Sequence, residues 1–178
     1  MRYHWRRGGW TVTQDAPLPP RCVLIAVPHT SNWDFPNVMA LTDQLGVRIH
    51  FMAKVSLFRP PFGRFMRQMG GVPVDRAAAG DMVNQMTDEF ARRDEFVLTI
   101  AAEGTRRAVD RWRSGFYRIA MAAEVPIVCG YMDYGRRRAG LGPVIHPTGD
   151  YDADMTVAHR FYQDMKGRHP DGYRPIPV

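Results

Sequence analysis

Cys22-Val-Leu-Ile-Ala-Val27-Pro-His29 is the stretch from which the architecture unfolds. A continuous apolar run has no side left for water, so it reads as a strand buried on both faces. Proline ends the run and a histidine follows at once. Ser31-x-x-Asp34 then has the form of a capping box, and Pro36 is tolerated only near a helix start. A helix therefore begins within a few residues of Asp34. Phe35, Val38, Met39, Thr42 and Leu45 share its apolar face, and Gly46 stops it.

The same strand-then-helix order repeats downstream. Residues 48–53, 71–75, 96–101, 125–131 and 142–146 read as further strands. Between them lie helical stripes: Met82, Val83, Met86 and Phe90; then Trp112, Phe116, Ile119, Ala120 and Ala123; then Val157, Ala158, Phe161, Tyr162 and Met165. The alternation predicts an α/β fold, a mostly parallel sheet flanked by helices, in a single domain over residues 1–178. In such sheets ligands bind beyond the carboxyl ends of the strands. His29 and Glu103 both stand at such ends.

Bulk properties narrow the classes. A chain of 178 residues can bury roughly 70% of its unfolded surface and needs no disulfide staples. Cys22 and Cys129 lie inside apolar runs and read as core thiols, which suits a reducing compartment. No apolar run approaches the ~20 residues that cross a bilayer, and the basic, aromatic N-terminus has no signal-peptide core. The expectation is a cytoplasmic protein, soluble or peripheral on the inner face of the membrane. The net charge is +6, and Lys54 and Lys166 are the only lysines. Arginine forks match phosphate and carboxylate. No nucleic-acid-binding motif is present, and nucleic acid is not expected as a partner.

Three stretches carry candidate chemistry. His29 and Asp34 are five residues apart, about 500° along a helix, so their side chains would point about 140° apart on one. They can meet only if His29 lies in the turn and Asp34 in the first helical turn. Asp34 would then fix the imidazole tautomer and leave the other nitrogen as a general base. The alternative reading is a helix cap beside a surface histidine. The second stretch, Thr99-Ile-Ala-Ala-Glu103-Gly104-Thr105-Arg106, runs from a strand into a glycine turn whose N–H groups, hydroxyl and guanidinium can cradle an anion. The third, Lys54 to Arg76, carries aromatic and basic residues. Phe58, Phe62, Phe65 and Met66 read as core or as the border of an apolar channel, and Arg64, Arg67 and Arg76 as facing phosphate or solvent.

Together these segments resemble the glycerolipid acyltransferase family that includes the 1-acylglycerol-3-phosphate O-acyltransferases. His29 and Asp34 match its H-x-x-x-x-D block. Gly70, Gly71 and Arg76 match its second block, Glu103 to Arg106 its E-G-T-R block, and Val125-Pro126-Ile127 its V-P-I block. The motif-bearing core spans about 22–131, and the chain looks most like the short bacterial members. It departs from them at Ala102, where proline is usual, and at Arg113, where lysine is common in the W-K-S-G-F segment.

The resemblance implies acyl transfer from a thioester, acyl-CoA or acyl carrier protein, to the hydroxyl of a lysophosphatidate-like lysolipid or of glycerol phosphate, in phospholipid biosynthesis. His29 would be the base and Asp34 its orienting acid. Glu103, Gly104, Thr105, Arg106 and Arg76 would bind or position the acceptor's phosphate. No metal or further cofactor is implied. Trp5, Trp10 and Arg136-Arg-Arg138 suggest contact with an anionic membrane surface. Three alternatives stay open: another lysolipid or an amino-lipid as acceptor, a metal-dependent hydrolase using His29, Asp34, Asp75 and Glu103, and a non-catalytic module binding acyl-CoA or lipid.

Overall fold

A computed structural model of the chain describes residues 9–15, 17–75 and 79–177, with the backbone alone at 79–81. Seven strands form one sheet: β1 (Thr11–Gln14), β2 (Arg21–Val27), β3 (Ile49–Lys54), β4 (Gly71–Val74), β5 (Phe96–Ile100), β6 (Ile127–Asp133) and β7 (Arg138–Ile145). Their order is β1-β7-β6-β2-β5-β3-β4. Every neighbouring pair is parallel except β6 with β7. Among the described residues five α-helices accompany them: α1 (Asp34–Leu45), α2 (Gly63–Gln68), α3 (Ala79–Ala91), α4 (Gly115–Ala122) and α5 (Tyr151–Tyr162). The expected α/β fold with a mostly parallel, helix-flanked sheet is the one observed.

The opening run lies at the centre of the sheet, between β5 and β6. Its unbroken apolarity resolves into two alternating sets. Val23, Ile25 and Val27 face a core built with Met86 and Phe90 of α3, Phe116 and Ile119 of α4, and Met155 and Tyr162 of α5. Cys22 and Leu24 face the other way, among Ile49, Val97, Val128 and Leu141, with Val38 and Leu45 of α1 packed against them. Gly46 ends α1 in the left-handed conformation, as expected.

The α1 side is filled less completely. Small residues of the sheet, Ala26, Gly130 and Gly140, leave a cavity of ≈ 380 Å³ under that helix, bordered by Val38, Leu41 and Phe51. His29 and Asp34 stand on its border.

Some boundaries differ from the sequence reading. Trp112 is buried but precedes α4, Ala123 caps that helix, and Met165 lies beyond α5. Val157 is half exposed, and Phe62 and Phe65 are largely exposed, so these three are not core. The last strand starts at Arg138 instead of 142, and β1 was not anticipated at all. The late start read for β7 has a structural cause. A Cβ at Gly140 would lie 1.8 Å from the carbonyl oxygen of Thr13, so β7 needs a glycine where β1 docks. That glycine breaks the apolar pattern from which strands are read. Among the described residues, no helix is long and apolar enough to cross a membrane.

Candidate active site

Strand β2 ends in a cis Val27-Pro28 peptide, and His29 follows in the loop that leads to α1. Asp34, the first residue of α1, is buried. Its Oδ2 accepts the backbone N–H groups of Thr30 and Ser31, each at 2.8 Å, and lies 3.2 Å from Nδ1 of His29. Ser31 Oγ in return accepts the Trp33 N–H at 3.2 Å. The expected capping box forms only by half: Asp34 takes the Ser31 N–H, but the Asp34 N–H goes to the Ser31 carbonyl and the N-cap of α1 is Trp33, with no side-chain cap bond, so Asp34 ties the turn and holds the histidine. Its second oxygen, Oδ1, accepts the Tyr134 hydroxyl at 2.9 Å, and that hydroxyl also accepts from Asn37 at 3.0 Å.

Burial alone would push the Asp34 carboxyl up. Hydrogen bonds from His29, Ser31, Tyr134 and Thr30 outweigh it and hold the group below its ordinary value. Burial, with the Asp34 charge beside it, pushes the Tyr134 phenol up to about 12, so it stays a neutral donor. With Nδ1 of His29 donating to a carboxylate, the lone pair sits on Nε2. Nε2 has no hydrogen-bond partner among the described residues, and the imidazole is 28% exposed. A fixed tautomer with an accessible lone pair is the geometry of a general base.

Glu103 follows β5 and is buried beside this pair. Its Oε1 accepts the backbone N–H of His29 at 3.1 Å, while Oε2 has no partner among the described residues. Burial pushes its carboxyl up to about 7, against the opposing hydrogen bond from His29. Gly104 turns the chain with φ +67°, and a Cβ there would come within 2.5 Å of Cδ of Arg113. Only glycine lets the backbone turn here with the Arg113 stem laid across it. Thr105 is half-buried, and Arg106 and Arg113 are exposed. The loop that holds Glu103 against the His29 backbone thus carries four exposed arginines, Arg106, Arg107, Arg111 and Arg113.

The structure joins His29, Asp34 and Glu103 directly and sets Gly104, Thr105 and Arg106 in the adjoining loop. Arg76 lies outside the described residues, as does Trp5. Gly70 and Gly71 lead into β4, and Val125-Pro126 into β6. Among the described residues, no three His, Cys, Asp or Glu side chains stand where they could hold a metal ion. The four-ligand hydrolase site of His29, Asp34, Asp75 and Glu103 does not form.

Sequence reasoning missed Tyr134 and a C-terminal strap. The His169 N–H donates to Thr30 Oγ1 at 3.2 Å, and the Lys166 N–H to Asp133 Oδ1 at 3.2 Å. The Tyr134 N–H donates to the Lys166 carbonyl at 2.9 Å. The strap thereby ties the His29 loop to the turn that carries Tyr134. Arg168, on the strap, lies 5.7 Å over the ring of Trp33. No local pattern marks partners that lie a hundred residues away in the chain.

Comparison with known proteins adds three findings. A family model described as Acyltransferase matches residues 10–133. The solved structure of the 1-acyl-sn-glycerophosphate (LPA) acyltransferase PlsC from Thermotoga maritima is similar, with a TM-score of 0.57 at 16% identity. That match covers 88% of this chain and 72% of that one, a likeness of fold. The protein Cytochrome-c peroxidase IdrP1 of Denitromonas iodatirespirans is 31% identical over 104 residues. The chain covers 27% of that curated relative, and the match takes in 51% of this chain.

Proposed function

The chain belongs to the Acyltransferase family, and from that membership we propose that it moves a fatty acyl group from an acyl thioester to the hydroxyl of a lysophosphatidate-like glycerolipid. The observation that carries this reading is His29, its Nδ1 held by buried Asp34, on the border of an apolar cavity of ≈ 380 Å³. That volume lies within the ~300–1,000 Å³ of small-molecule sites.

An alcohol is a weak nucleophile at neutral pH. Nε2 of His29 takes the acceptor's hydroxyl proton as the oxygen attacks the thioester carbonyl, a gain of roughly 10²–10⁴-fold. Asp34 orients the ring and stabilises the imidazolium, and Tyr134 holds Asp34 in place. The tetrahedral intermediate collapses, the C–S bond breaks, and the imidazolium proton goes to the departing thiolate. The nucleophile belongs to the substrate, so no acyl-enzyme forms. Gly104, Thr105 and Arg106, joined by Arg113 and Arg76, bind the acceptor's phosphate and position its hydroxyl. Glu103 braces the His29 backbone. The chemistry asks for no metal or cofactor beyond the donor, acyl-CoA or acyl carrier protein.

Purified protein incubated with acyl-CoA and a panel of acceptors, analysed by lipid mass spectrometry, tests the assignment. Phosphatidate formed from lysophosphatidate supports it. Product from another lysolipid or an amino-lipid alone keeps the chemistry and changes the acceptor. Acyl-CoA binding with no product from any acceptor would leave a non-catalytic binding module.

A further inference from the structure

Four large apolar side chains face water on one short stretch. Val55 and Leu57 are each 48% exposed, Phe65 57% and Phe62 68%. They belong to a 3₁₀ helix, Val55–Phe58, and to α2 with the residue before it. The stretch is folded. The N–H groups of Gly63, Met66 and Met69 donate to the carbonyls of Arg59, Phe62 and Phe65, each at 3.0 Å. Phe58 is buried beneath it. A fixed cluster of exposed aromatic and aliphatic groups on a small protein marks a contact surface.

Its charge is one-sided. From Lys54 to Val74 there is no aspartate or glutamate, while Lys54, Arg59, Arg64 and Arg67 are all exposed. Its place is also set. Strands β2, β5 and β3 are parallel, so the 3₁₀ helix leaves β3 at the same sheet end where β2 delivers His29. Phe51 of β3 lines the cavity and meets Phe35 edge-on at 4.9 Å between ring centroids. Phe35 is 40% exposed and nearby Trp33 59%. Exposed apolar groups thus stand both on the platform and beside the cavity that His29 borders.

We propose that residues 55–68 form a platform that docks the protein on the surface of an anionic lipid bilayer. Val55, Leu57, Phe62 and Phe65 enter the boundary between headgroups and acyl chains, and Lys54, Arg59, Arg64 and Arg67 meet lipid phosphates. A second copy of the chain fits this face poorly. A two-fold contact would set the same cations against each other with no acidic residue of the stretch to neutralise them. The expected basic patch differs from this platform: Arg136 is engaged by Asp133 and by the Asp164 carbonyl, each at 3.2 Å, and Trp10 packs edge-on against Tyr134. That the docked lipid feeds the cavity rests on the acyl-transfer reading. The docking itself is measured without turnover, so the two ideas fail separately.

The test is co-sedimentation with phosphatidylcholine vesicles, with and without phosphatidylglycerol, at low and high salt. The wild-type protein should bind the anionic vesicles and release them in high salt. Arg59→Gln/Arg64→Gln/Arg67→Gln should weaken that binding on the order of 100-fold. Phe62→Ser/Phe65→Ser should weaken it by at least about tenfold. These side chains are exposed, so unchanged thermal unfolding is expected. Should a variant unfold, Phe62→Trp in the otherwise intact chain gives a second reading through quenching by brominated lipid. The proposal is overturned by any of four results: no binding at low salt, variants that bind like wild type, no quenching, or platform variants that abolish self-association while leaving vesicle binding intact.

Discussion

Replacing Glu103 with glutamine keeps the side chain's size and the oxygen that accepts the His29 N–H at 3.1 Å, and it removes a titration. Burial places the folded carboxyl at about 7, against 4.5 for the free side chain. Between those values the folded protein holds a proton that the unfolded chain has released. For a carboxyl whose folded pKa is raised, stability is highest on the acid side. It falls as pH rises through this window and levels off above about 7. The gap corresponds to about 3 kcal/mol. The glutamine amide, standing where Oε2 has no partner among the described residues, adds a cost of roughly 1–3 kcal/mol that is the same at every pH. The absolute difference between the two proteins can therefore take either sign, and only its slope is diagnostic. Urea unfolding from pH 4 to pH 8 measures it. The stability of wild type minus that of Glu103→Gln should fall by up to about 3 kcal/mol across the range, because titrations of groups remote from Glu103 cancel in the difference. Parallel pH curves for the two proteins would refute the reasoning.

Three further outcomes are expected. Tyr134→Phe removes the donor to Asp34 Oδ1, so the Asp34 carboxyl should titrate at higher pH in a carboxyl-carbon NMR experiment. The turnover number should fall about tenfold as the His29 ring loses its brace. Gly104→Ala forces an alanine into φ +67° against the Arg113 stem and should cost roughly 1–2 kcal/mol in chemical denaturation. Ala26→Leu fills part of the cavity under α1 and should shift the acyl-chain preference toward shorter chains in a competition assay with mixed acyl-CoA donors.

The sequence was most informative where one local rule governs the outcome. Strands β2 to β5 carry short apolar runs, and these gave bounds within about a residue of those observed, even for the edge strand β4. Ser31 and Asp34 met, as their spacing suggests, through the Ser31 N–H to the Asp34 carboxylate, although α1 is capped one residue before Asp34 at Trp33. Geometry that ruled out a shared helical face put His29 in the turn, where it lies. Legibility failed where stability comes from distant partners. Strand β1 is short and partly exposed, held by main-chain pairing to β7 across Gly140, so no apolar run announces it. Tyr134 reaches Asp34 from the β6–β7 turn, and the strap at 166–173 grips Thr30 from the far end of the chain. Phe62 and Phe65 have the spacing of core residues and stand in solvent. Pattern alone does not distinguish a face that packs on protein from one left open.

The most direct measurement is the initial rate of thiol release from acyl-CoA in the presence of lysophosphatidate, for wild type and His29→Ala. The account predicts lysophosphatidate-dependent release by wild type and a loss of roughly 10²–10⁴-fold in turnover for the variant, with acyl-CoA binding and the folded state retained. Full activity in His29→Ala would contradict it, because among the described residues no other group on the cavity border has its lone pair fixed by a buried carboxylate.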